Sequence, residues 1–253
     1  MIESDLKVPA ILKADKIFTY LHYNERVTQS KIVKDLNLPK ATVSRLLKIL
    51  TELRYLHLEN KKYSLGEKFY FFSNKYEKYS LLKNISYPYL KELSLKFKET
   101  FKISVLDDNL VRSIASVESS DVIKISVSEN AIFPLHAGAA SKLLICQMET
   151  NKLRKLLGET LSKYTENTIT NHCKLEEELI KINIKKISYD NMEHSNSIKA
   201  VAVPIYNKKN RIIGALSCPC FPKENLDEKF KIMIVDMRKV ALNIEKRLID
   251  FEK

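Results

Sequence analysis

The sequence predicts an α+β chain: an N-terminal winged helix-turn-helix, a linker helix, and a C-terminal α/β domain with an antiparallel sheet. Three observations carry this. Residues 8–65 hold three amphipathic helical periods followed by a hairpin pattern; residues 67–84 hold a helical stripe of aromatics; the rest mixes β-rich runs with helical ones and ends in a long helix. The corresponding parts are residues 1–66, 67–84 and 85–253.

The first helix is expected from Val8 to His22, where Ile11, Ala14, Ile17, Phe18 and Leu21 recur at helical spacing. Pro9 falls in its first turn, where a missing N–H removes no hydrogen bond. A second helix opens at Thr28, a suitable N-cap, and turns Ile32, Val33 and Leu36 inward. It stops at "NLP", because Pro39 bars the helical conformation from the residue before it.

The third helix lies in "LNLPKATVSRLLKILTEL". Val43, Leu46, Leu47, Leu50 and Leu53 form one apolar stripe, which leaves Ala41, Ser44, Arg45 and Lys48 on the opposite face and Lys40 and Thr42 at the N-terminal end. The following "YLHLENKKYSLG" reads as a β-hairpin, with Leu56 and Leu58 on one face and a turn near Glu59 to Lys62 that lacks the favoured Asn-Gly pair. Small, hydroxylic and cationic side chains on a helix suit the major groove, where Arg and Lys reach guanine O6 and N7. The candidate DNA contacts are therefore Lys40, Thr42, Ser44, Arg45 and Lys48 on this helix, Thr28 and Gln29 at the start of the second, and Lys61 and Lys62 at the hairpin tip. A basic helix face is commonly plain solvated surface; here it belongs to a tri-helical unit with a hairpin in the right order.

In residues 67–84, Phe69, Phe72, Tyr76 and Tyr79 repeat at helical spacing. Either they pack on their own domain or they meet a subunit partner, and the two half-sites of a dimeric DNA reader favour the partner. Pro88 is expected to begin the next helix, with Leu90, Leu93 and Phe97 inward. Three strands are expected in "FKISVLDD", "LVRSIASVES" and "VIKISVSEN", then helices in "GAASKLLICQM" and "TNKLRKLLG", the latter closed by Gly158. Asn171 is placed to cap "KLEEELIKINIKK". Strands "IKAVAVPIY" and "RIIGALSCP" flank the turn "NKKN", and residues 227–252 form the terminal helix.

Composition narrows the function. The chain has 253 residues, 45% of them apolar, and a net charge of +12. Residues 1–65 carry 12 Lys+Arg against 7 Asp+Glu, a net +5, while the remaining 188 carry +7. The first part is thus about twice as basic per residue, as an anionic partner would favour. No apolar run approaches the ~18 to 20 residues of a membrane span. The four cysteines show no framework spacing and no apolar signal segment opens the chain, so a reducing cytoplasm is the expected setting. The five histidines are scattered, without a nucleophile elbow, phosphate-binding glycine loop or metal motif, so no catalytic residue, metal site or cofactor is expected.

Several motifs in one order resemble the IclR family of bacterial transcriptional regulators over nearly the whole chain. "LNLPKATVSRLLKIL" resembles the family's recognition segment, and "FPLHAGAASKLLIC" its effector-domain signature. "YTENTIT" followed by "YDNMEHSNSIKAVAVPIYNKKNRIIGALS" resembles the rest of that signature in type and spacing. The resemblance implies a winged helix-turn-helix, a linker helix used in dimerisation, and a C-terminal domain similar to GAF or PAS folds. That domain would bind a small organic acid or aromatic compound in a homodimer or homotetramer. The implied pocket positions are Ile125, Phe133, Ala139, Ala140, Asp190, Ile198, Ala200 and Ser217. Physically, a helix start at Ala139 to Ser141 offers N–H groups to a carboxylate, and Asp190 and Ser217 suit a hydroxyl or protonated group. Asp190 read alone is a turn residue, and Ser217 an ordinary strand hydroxyl. The sequence departs from the family pattern at Ala41, Ser141, Ser197, Ala200 and Pro219-Cys220, so base preference and ligand are its own.

Two other readings of the trigger stand beside this one. Cys218 and Cys220 would serve a thiol- or metal-responsive regulator, although C-x-C is not the redox C-x-x-C spacing and strand cysteines are commonly buried packing. Alternatively the pocket is vestigial and the chain is a sequence-indifferent DNA binder.

Overall fold

The computed structural model describes residues 8–73 and 79–251, and the chain divides into two compact units between residues 78 and 79. The first contains α1 (Pro9–Tyr23), β1 (Val27–Thr28), α2 (Gln29–Leu36), α3 (Lys40–Glu52), β2 (Leu56–Glu59), β3 (Lys62–Leu65) and α4 (Glu67–Ser73). Ile17, Leu21, Ile32, Val43, Leu47, Leu50 and Leu56 form its core. Asn37 ends α2 in the left-handed region at φ 49°, and the N–H groups of Asn37 and Leu38 bond back to the last turn. The chain thereby turns sharply into α3.

The hairpin turn has positive φ at Asn60 and Lys61 (48° and 62°), the mirror-image geometry that matches strand twist, here without a glycine. The sequence did not reveal β1, a strand of two residues. It pairs with β3, setting Thr28 opposite Lys62, in a sheet of order β1-β3-β2. Ile11, Leu53 and Leu58 are exposed rather than inward, at 66%, 48% and 45%. Ile11 and Leu53 continue the helical period past the ends of the core, and Leu58 stands out on the wing.

Two members of the aromatic stripe pack within their own units. Phe69 rests against Phe18 and Tyr55 in the first unit, with ring centroids 5.0 and 5.7 Å apart. Tyr79 packs on the second unit's core, and its hydroxyl donates to Asp107 Oδ1 at 2.9 Å. Both find partners in their own chain, because each lies within reach of a core that needs covering. Phe72 is half-exposed beside Tyr55, and Tyr76 lies outside the described residues.

The second unit contains α5 (Ser80–Phe97), β4 (Phe101–Asp107), β5 (Leu110–Val117), β6 (Ile132–Phe133), α6 (Ala139–Ile145), α7 (Thr150–Leu157), α8 (His172–Lys185), β7 (Ser188–Asn191), β8 (Lys199–Tyr206), β9 (Ile212–Cys220) and α9 (Leu226–Phe251). Its six strands run β6-β5-β4-β9-β8-β7, every neighbour antiparallel. One sheet face presents Phe101, Ile103, Val105, Val201, Val203 and Leu216 to α5 and α9. The other presents Ala200, Ala202 and Ala215 beneath α6 and α8. Alternation along the strands thus gives one large-residue face that is filled and one small-residue face that leaves room above it.

Three expectations change here. Pro88 lies inside α5 rather than at its start; Pro88 and Asn84 are both exposed, so water can satisfy the Asn84 carbonyl that the proline leaves without a donor. "VIKISVSEN" forms no strand. Val122 is fully exposed and Ile123 80% exposed, while the Thr100 hydroxyl donates to the Ile125 carbonyl, and the edge position beside β5 goes to Ile132–Phe133. A further strand, β7, has no counterpart in the expected strands and pairs with β8. Asn171 does cap α8, its Oδ1 accepting the Lys174 N–H at 3.0 Å, and Gly158 follows α7 with φ 75°. Among the described residues no helix is long and apolar enough to cross a membrane.

Candidate functional site

Two surfaces gather the candidate residues. On α3, Val43, Leu47 and Leu50 are buried, while Lys40, Ala41, Ser44, Arg45 and Lys48 are exposed and Thr42 is half-buried. Lys61 and Lys62 are exposed on the wing; Thr28 is exposed and Gln29 half-buried at the start of α2. The wing is braced by Arg26 to Glu59 at 3.3 Å. Among the described residues, Lys40, Arg45, Lys48, Lys61 and Lys62 enter no such bridge, so their charge is left for an outside anion.

The second surface is a cavity of about 380 Å³ over the small-residue face of the large sheet. All eight sequence-predicted pocket residues line it. Ile125 and Phe133 come from one side, Ala139 and Ala140 from α6. Asp190 comes from β7, Ile198 from the segment before β8, Ala200 from β8 and Ser217 from β9. Strand register explains the grouping: Ala200 stands opposite both Asp190 and Pro219, and Ser217 opposite Ala202. Gly138 opens α6 at φ 98°, a conformation that favours glycine. Nearby, His136 Nε2–H donates to the Ser162 carbonyl at 2.8 Å and holds the approach to this helix.

The structure adds residues that sequence patterning does not single out. Lys102 on β4 stands opposite Ser217 and is 7% exposed. Its Nζ lies 3.3 Å from the Phe133 ring centroid, and burial lowers its pKa to about 7 against a smaller opposing pull from Asp190. His194 also lines the cavity; burial pushes its pKa down. The Asp190 carboxyl is pushed up by burial, although its Oδ1 accepts the Glu193 N–H at 2.7 Å. Ser217 is 1% exposed and its hydroxyl has no hydrogen-bond partner among the described residues. Alternation in "FKISV" turns Lys102 and Ser104 to one sheet face, and α6 packs over β4 on that face while the Phe133 ring covers the Lys102 ammonium.

α6 spans seven residues, under two turns, so the positive charge at the cavity comes from Lys102 rather than from a long helix dipole. Behind α6, the Lys142 ammonium is 1% exposed and meets Glu193 at 2.5 Å and Glu178 at 3.7 Å. This buried ion pair ties the pocket helix to the turn that follows β7, the strand that carries Asp190. Cys218 and Cys220 lie on the opposite sheet face, buried, with Sγ atoms 3.6 Å apart. Among the described residues no three His, Cys, Asp or Glu side chains gather to hold a metal ion.

Residues 13–59 match the IclR helix-turn-helix domain, and residues 76–246 match the bacterial transcriptional regulator IclR C-terminal domain. The HTH-type transcriptional regulator RhmR of Escherichia coli (strain K12) is 27% identical over 219 residues, 86% of this chain and 84% of its own. Among solved structures, the Thermotoga maritima IclR superposes with a TM-score of 0.62 at 22% identity, covering 94% of this chain and 98% of its own. An IclR homolog from Microbacterium hydrocarbonoxydans complexed with 4-hydroxybenzoate gives a TM-score of 0.63 at 17% identity, covering 95% of this chain and 99% of its own.

Proposed function

The chain belongs to the IclR family of bacterial transcriptional regulators, and we propose that it is a cytoplasmic homodimer or homotetramer whose operator binding responds to a small organic acid or aromatic metabolite. Residues 1–66 read DNA, 67–84 link and help to pair protomers, and 85–253 bind the effector and oligomerise. The observation that carries the reading is the cavity: the eight expected ligand residues line it, together with the buried Lys102 and a Ser217 hydroxyl that has no partner among the described residues. A mostly apolar hollow with a few convergent polar groups is the usual form of a small-molecule site. The neighbour complexed with 4-hydroxybenzoate supports an acid of that size.

On DNA, Arg45, Ser44 and Lys48 would face base edges, Lys40, Thr42, Thr28 and Gln29 the phosphates beside them, and Lys61 and Lys62 the flanking backbone. Two half-sites one helical turn apart, or a multiple, follow from a paired reader. An effector moves the equilibrium between two placements of the recognition helices by the difference in its affinity for them, and no further.

The test is fluorescence anisotropy of the full chain on a selected operator duplex, with and without aromatic and aliphatic acids. A change in operator affinity that Ala200→Phe abolishes supports the reading. An operator affinity indifferent to every acid supports the vestigial pocket instead.

A further inference from the structure

From the row of side chains across the sheet, we infer that Lys102 makes this cavity selective for a singly charged small acid, held by its carboxylate between the Lys102 ammonium and the Ser217 hydroxyl, with a neutral hydrogen-bonding group toward Asp190. The inference rests on the cavity being the effector site and goes further, to the charge and shape of the ligand and the residue that selects it.

The argument begins with what is unpaired. Lys102 is 93% buried by its 7% exposure, yet among the described residues its ammonium has only the face of Phe133, 3.3 Å away, as a partner. Ser217, directly across the β4–β9 pair, is buried with an unused hydroxyl. Opposed residues on adjacent strands have Cβ atoms about 5 Å apart, so one carboxylate can meet both groups. A buried ammonium with no directly hydrogen-bonded counter-charge among the described residues is unfavourable, and a carboxylate entering the cavity supplies one.

The same geometry rejects other charge types. A neutral ligand leaves Lys102 as it is, and a cationic one is repelled. A dicarboxylate needs a second cation, and none lines the cavity among the described residues. Lys142, on the adjoining helix, is already engaged by Glu193 and Glu178. Asp190 lines the same cavity from β7, with β8 between it and Ser217, where it repels a second carboxylate and suits a hydroxyl at the far end of the ligand.

Proton linkage adds a signature. Burial holds Lys102 near pKa 7, with Asp190 and His194 the other titratable groups facing it, and Lys142 behind them neutralised by its glutamates. A bound carboxylate raises that pKa, so acid binding takes up a proton above neutrality and weakens as pH rises.

The experiment measures binding of matched probes to the full chain by calorimetry: benzoate, benzamide and phthalate, then butyrate, butyramide and succinate, at pH 6.5 and 8.5. The variants are Lys102→Met, Ser217→Ala and the cavity-filling Ala200→Phe, with unliganded thermal melts recorded for each. The expected result is that a monocarboxylate binds at least about tenfold more tightly than its amide or diacid. Lys102→Met should lose about ten- to a hundredfold, Ser217→Ala less, and the wild-type preference should shrink at pH 8.5. An amide that binds as well as its acid, or a Lys102→Met variant that keeps the acid preference, overturns the role of Lys102 while leaving the cavity a ligand site. If no probe binds in a manner that Ala200→Phe abolishes, both this inference and the effector reading fall.

Discussion

Lys102 and Ser217 face each other across the β4–β9 strand pair, each buried and, among the described residues, neither side chain hydrogen-bonded. A protein selected for stability alone would not keep an ammonium and a hydroxyl so placed, since apolar residues of similar size would fill the site at lower cost. The pair therefore marks a place where function opposes folding.

Lys102→Met should stabilise the unliganded protein by about 1–4 kcal/mol near or below neutral pH. The native pKa of about 7 lies below the ordinary 10.5. Between those values the unfolded chain binds more protons, so wild-type stability rises with pH across that window. The advantage of the methionine should accordingly shrink from pH 7 to pH 10.5. Urea titrations at several pH values check this, and a constant difference would contradict it.

Lys142→Met should destabilise the second unit by about 3–5 kcal/mol, because Glu193 is left buried without its counter-charge. The double variant Lys142→Met, Glu193→Leu should recover most of that loss. Chemical denaturation of the single and double variants reads the coupling directly.

Gly66→Ala should loosen the wing. A Cβ there would lie 2.4 Å from the Arg54 carbonyl oxygen and 2.9 Å from Leu56 backbone atoms, and backbone cannot swing aside. A cost of about 1–3 kcal/mol is expected, with weaker DNA binding, measured by thermal melts and duplex titration.

Arg45→Ala should weaken operator binding by about 1–3 kcal/mol and relax preference at one base position. Neutralising Lys61 and Lys62 should leave preference intact and flatten the salt dependence by about one unit of log–log slope for each phosphate that is no longer neutralised. Titrations at several salt concentrations separate the two. An unchanged slope removes the wing from the interface.

Much of this was legible in the sequence because it is periodic or local. The stripe of Val43, Leu47 and Leu50, the turn at Asn37 to Pro39 and the Asn171 cap each depend on neighbours within a few residues. The eight pocket positions came from motif resemblance, and strand register then explains why they meet. What escaped was what tertiary contact decides. Nothing local in the sequence marks Lys102, whose burial comes from α6 and from Phe133, which lies far along the chain. Val122 to Asn130 alternates like a strand, but β5 pairs with Ile132–Phe133 and leaves Val122 exposed. Strand β1, of two residues, is too short for periodicity to register, and the polar "SYDN" of β7 carries no apolar alternation. Helical spacing left open whether Phe69 and Tyr79 pack on their own domains or on a partner, because it cannot show that each has a core within reach.

The measurement closest to the central claim is sequencing of genomic fragments retained by the purified full chain at fixed moderate salt, with and without a bound monocarboxylate. The account predicts a paired motif, half-sites one helical turn or a multiple apart, whose recovery changes when the acid is present. Salt-sensitive retention without sequence preference, unaltered by any acid, would contradict it.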